Sequence, residues 1–127
     1  MSNATVERTE LARFLTIAGQ RHRAGQTLPE MFSGAIDAFW HDQLDTPAYD
    51  VFSTEHAGAV AGHSQEPGSG PVEWVAAYEE AYGPLPAIWF TDERGRLDGE
   101  AFAAYRETGR VEASWNCGPD FTADTAE

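Results

Sequence analysis

An α+β fold is what this sequence predicts: an N-terminal helical bundle of about four helices, then a small antiparallel sheet with one short helix. Three observations carry the prediction. Apolar residues recur at helical spacing over the first eighty or so positions, ending at Gly83-Pro84. Beyond that point the pattern shifts to short β-type runs, with Val111, Ala113 and Trp115 alternating with Glu112, Ser114 and Asn116. The composition, 42% hydrophobic and 12% aromatic, suits a folded core and argues against disorder.

The first helix spans 4–21 and sets Leu11, Phe14, Leu15 and Ala18 on one face, with the polar stretch to Gln26 ending it. Thr27 and Glu30 have capping-box spacing around Pro29, so a second helix is expected from there, with Met31, Phe32, Ala35, Ile36, Phe39 and Trp40 on its apolar stripe. Thr46-Pro47 breaks that helix, because a residue before proline avoids helical geometry. A third runs over about 47–57, with Gly58 as its stop. Residues 62–71, GHSQEPGSGP, hold three glycines and two prolines and read as a surface connection. A fourth helix covers 71–82 and buries Trp74, Val75 and Tyr78.

In the second half, Ala87–Thr91 reads as a strand turning at Asp92-Glu93-Arg94-Gly95 into 96–98. Asp98 caps a short helix that Gly109 closes, and the strand from Val111 follows. One domain over 1–119 is expected, with 120–127 an acidic, frayed tail.

Charge narrows the partners. The net charge is −13, and residues 37–127 hold four arginines against eighteen acids. Such a chain is repelled by phosphate backbones and anionic lipid, so neither nucleic acid nor membrane is expected as a partner. No apolar run approaches the ~20 residues that span a bilayer. Charges at Glu7, Arg8 and Glu10 fall where a signal peptide has its apolar core, which points to a cytoplasmic protein. The single cysteine, Cys117, excludes an internal disulfide and a cysteine-built zinc site, and it reads as structural.

Chemistry is suggested in one place. His41, His56 and His63 fall within 23 residues, and imidazole is the commonest transition-metal ligand. His41 and Asp45 share a face at i, i+4, and Asp37 lies one turn earlier, placed to orient His41 from behind. On a helical wheel Asp37 and His41 fall almost opposite the apolar stripe centred on Phe39, so His41 is not a core histidine of its helix. The expected ligands are therefore His41, His63 and Asp45, with Asp37 supporting and Trp40, Tyr49 and His56 as lining. No cofactor is certain from the sequence: the cluster either arises by chance with no shared ligand or holds a divalent metal such as zinc. No H-E-x-x-H, phosphate loop or G-x-S-x-G elbow occurs, and Ser53 near His56 lacks a third triad member.

The pattern Asp37-Ala-Phe-Trp-His41, Leu44-Asp45-Thr46, Tyr49, Gly58 and His63 resembles the plant glycine-rich-domain proteins and their small bacterial relatives. The match covers 37–63. Ser53 stands where that family usually has cysteine, Ala57 where it has an aromatic, and His56 lies outside the pattern. The resemblance implies a domain type and no reaction. The stretch PLPAIWFTDERGRLD, in a chain without lysine, looks like small actinobacterial proteins. Two functions follow as expectations: a non-enzymatic module contacting another protein, or a metal-binding domain, hydrolytic if a coordination position stays open.

Overall fold

A computed structural model describes residues 4–121. Helix α1 (Ala4–Arg23) has Glu7 in its first turn and Arg21, His22 and Arg23 in its last, both favourable to its dipole. Its stripe of Leu11, Phe14, Leu15 and Ala18 is fully buried. Helix α2 (Gly34–Leu44) and helix α3 (Tyr49–Ala57) pack on it. Strand β1 (Gly62–Pro71) follows, then α4 (Val75–Tyr82), a 3-10 turn (Ala87–Phe90), α5 (Gly99–Thr108) and strand β2 (Glu112–Asp120). The fold is α+β, with β1 and β2 forming a two-stranded antiparallel sheet that interrupts the helices instead of following them. No described helix is long and apolar enough to cross a membrane.

Four sequence expectations are corrected. Residues 62–71 are a strand, not a loop: pairing supplies what the glycine-rich sequence lacks in intrinsic preference. The register slips between Gln65 and Gly68, and Pro67, which has no N–H to donate, falls inside that interruption. The second helix starts at Gly34 under a Ser33 cap, not at the Thr27 box. The backbone before it is committed elsewhere, since Glu30 carbonyl accepts from Trp74 Nε1 (3.1 Å) and Met31 N–H donates to Cys117 carbonyl (3.1 Å). The run at Ala87 is a 3-10 turn because neighbouring Trp89 and Phe90 are both buried, which an alternating strand cannot arrange. The expected tail starts too early. Asp120 ends β2 and Phe121 is in the core, while 122–127 lie outside the described residues.

The core is largely aromatic. Phe14 meets Trp40 and Trp74 edge-on at 5.7 and 5.5 Å, and Trp74 meets Trp89 at 5.0 Å. Into it reaches one buried carboxylate, Glu10, only 3% exposed. It accepts from Tyr78 Oη at 2.6 Å, Trp89 Nε1 at 2.9 Å and Arg13 Nη1 at 3.2 Å. Three donors, one of them charged, replace the water this carboxylate gave up. Burial and the Glu10 carboxylate push the Tyr78 hydroxyl well above its ordinary range.

α1 and α3 touch at Gly19, where an added Cβ would stand 2.1 Å from Ala57 carbonyl oxygen. Gly19→Ala is therefore expected to destabilise by about 2–4 kcal/mol in a urea titration. Gly99→Ala, at an open helix start, is expected to shift the midpoint negligibly or upward.

A pH prediction follows from Tyr105. Its hydroxyl donates to Glu79 and accepts from Leu85 N–H (2.9 Å). Burial first, and then Glu79, push it up to about 12 from 10.0. The unfolded chain thus ionises first, so this contribution is intact below pH 10 and is lost as pH rises towards 12. Tyr105→Phe should lower stability at pH 7 but flatten its decline above pH 10, read as denaturant midpoints against pH.

Candidate metal centre

Asp37 stands in the first turn of α2 and His41 one turn later, on the side away from the core stripe. The segment that covers them is the start of β1. Its delivery is determined by the corner after α3. Tyr49 accepts from Trp40 Nε1 at 3.0 Å and donates to Ala61 carbonyl. Ser53 donates to Ala59 carbonyl and accepts from Ala61 N–H, both at 2.8 Å. Both ends of the Ala59–Ala61 segment are thereby tied to α3, and His63 is aimed back over α2. Its ring meets the Trp40 indole edge-on at 4.7 Å and lies 4.1 Å from the His41 ring.

β2 brings the fourth group. His63 pairs with Pro119 and Gln65 with Cys117 across the ladder. The Cys117 thiol donates to Asp37 Oδ1 at 3.0 Å, and His63 Nε2 is 3.1 Å from the same oxygen. A carboxylate only accepts, so Nε2 carries the proton in this arrangement. His41 Nε2 is 3.5 Å from the other oxygen, Oδ2. Burial grades outward: Cys117 is 3% exposed, and the side chains of His63, Asp37 and His41 are 10%, 29% and 54% exposed.

Burial, and after it the hydrogen bond and charge of Asp37, push the Cys117 thiol far above its ordinary range. A nucleophilic cysteine needs the reverse, a base that takes its proton and a neighbourhood that favours thiolate. Here the thiol faces a carboxylate. The geometry thus speaks against nucleophilic catalysis, although Cys, His and Asp are all present.

It is well matched to a cation. The ligand atoms of Asp37, His63 and Cys117 all lie within 4.8 Å of one another. Tetrahedral zinc with bonds of ~2.0–2.3 Å separates its ligands by roughly 3.3–3.8 Å. The two shortest separations here, 3.0 and 3.1 Å, need to open by only a few tenths of an ångström. Two protons now converge on one oxygen, the place where a divalent ion would substitute for both. Sulfur, imidazole and carboxylate together suit a borderline ion such as zinc.

The structure redistributes the residues singled out in the sequence. His41, His63 and Asp37 come together, and Asp37, expected behind His41, is the group on which the others converge. Asp45 is an exposed residue capping the C-terminal end of α2, its N–H spent on Gln43 carbonyl. His56 packs against the Phe52 ring at 4.8 Å. Trp40 and Tyr49 support the site from the core side. Cys117, which reads as structural in the sequence, joins this group. The signal was available, because the alternation of Val111, Ala113 and Trp115 continues to Cys117 on the same face.

Tyr49→Phe would leave Trp40 Nε1 without its acceptor and Ala61 carbonyl without its donor. A loss of about 1–3 kcal/mol is expected by denaturation, with the His63 ring signals shifting by NMR while those of His56 stay in place.

No protein-family model, curated protein or solved structure matches this chain.

Proposed function

We propose that this protein is a small accessory module that holds one divalent transition metal, zinc in class, through Asp37, His63 and Cys117, with His41 completing the set from the rim. The observation that carries the reading is the convergence of three ligand atoms from α2, β1 and β2 within 4.8 Å. Four protein ligands would leave no position for a reacting water, which favours a structural ion over a hydrolytic one. In that role the ion ties both strands to α2 and shapes a surface for a protein partner. The net charge of −13 favours that class of partner over nucleic acid or anionic membrane. The likeness of residues 37–63 to the glycine-rich-domain proteins belongs with this reading. Asp37, Trp40, His41, Tyr49 and His63 of that pattern are the residues gathered here.

Cobalt titration of untagged, chelator-treated protein tests it. One equivalent should raise a thiolate-to-cobalt charge-transfer band that Cys117→Ala abolishes and Asp45→Asn leaves unchanged. His63→Ala should weaken binding by ~100-fold or more, and His41→Ala by less. Zinc at a hundredfold excess over its dissociation constant should stabilise the fold by about 2.7 kcal/mol. A flat titration with no gain in melting temperature would sink the reading.

A further inference from the structure

The four groups of the metal centre are not equally held. The ligand atoms of Asp37, His63 and Cys117 form the compact set within 4.8 Å, and His41 stands outside it. Cys117 and His63 arrive on paired strands, each within hydrogen-bonding distance of Asp37 Oδ1. The His63 ring is also backed by the Trp40 indole. His41, on α2, faces Asp37 only across 3.5 Å at the other oxygen, and the ring it meets is that of His63. Its side chain is the most exposed of the four.

A ligand is exchanged at a metal where an incoming donor can reach the ion as a resident one leaves. Cys117 and His63 are too buried to be approached, and Asp37 is the group to which both are bonded. His41 is the ligand that can yield its place. The acids beside it then select among incoming donors. Asp42 and Asp45 are both exposed within one turn of His41, and the whole chain carries −13. A carboxylate or thiolate approaching this rim is repelled, whereas a neutral nitrogen base is not. Imidazole is such a base. It replaces the His41 ring lone pair for lone pair, with no change of charge at the ion.

We propose that the centre has an exchangeable fourth position at His41, and that an imidazole-class base takes it; this rests on the metal reading above. The base is a free small molecule or a histidine of a partner protein. In the second case the partner is joined to this protein through the ion itself.

The cobalt-loaded full chain, titrated at constant ionic strength and at a pH where imidazole is neutral, tests this through its visible d–d bands. The probes are imidazole, acetate and the end-blocked tripeptide Ala-His-Ala. Imidazole should move the bands saturably while the thiolate-to-cobalt band persists. His41→Ala should respond at roughly 10-fold less imidazole, because no tethered ring competes. Acetate should need at least ~10-fold more than imidazole. A tripeptide that matches imidazole assigns the base to a protein histidine, and one that is excluded assigns it to a free small molecule. Unmoved bands in the wild type would overturn the proposal, whether or not His41→Ala retains cobalt. So would equal response of wild type and variant, acetate acting as well as imidazole, or extraction of the cobalt by imidazole. In the first three of these the persisting thiolate band leaves the metal reading standing, whereas a flat cobalt titration removes both.

Discussion

Residues 62–71 and 112–120 pair across the sheet, and this pairing is the constraint on which the rest of the molecule depends. The ladder sets His63 near Cys117, and the Met31 bridge to Cys117 then fixes the approach to α2. A shift of one residue would turn Cys117 away from Asp37, since side chains alternate between faces. The interruption around Pro67 has a consequence beyond that proline. It confines irregularity to the middle of β1, leaving the His63 end in regular register.

Two carboxylates sit at the heart of this fold, and their surroundings assign them different roles. Glu10 is closed on all sides by Tyr78, Trp89 and Arg13, and its charge is answered within the protein. Asp37 receives a thiol and an imidazole on a single oxygen, with a second imidazole near the other. The donors around Glu10 are fixed hydrogen-bonding groups of a core. Those around Asp37 can give up a proton and still bind, which is the property a metal ligand needs. The more buried of the two acids is thus the one whose charge is answered within the protein.

What could be read from the chain alone follows distance along it. The caps at Asp98, Gly109 and Gly58 are local chemistry, and they bound α5 at both ends and α3 at its C-terminal end as expected. The exposure of Asp37 and His41 away from the stripe follows from helical geometry within one element. β1 escaped because its strand character comes from β2, distant in the chain, and not from its glycines and prolines. The face on which Cys117 lies could be read from the alternation that starts at Val111, but its approach to Asp37 is a contact across 80 residues that no local pattern encodes. Thr27 and Glu30 have capping-box spacing, but Trp74 and β2 outcompete the helix for that backbone. Each miss is a long-range contact overriding a local preference.

Asp37 and Cys117 stand 80 residues apart in the chain. During synthesis from the N-terminus, the helices and both imidazoles leave the ribosome long before the thiol does. Asp37, His41 and His63 are therefore all synthesised before Cys117 is. If the proposed ion is bound, the sulfur would be the last of its ligands to arrive, and a cation met earlier would find nitrogen and oxygen alone.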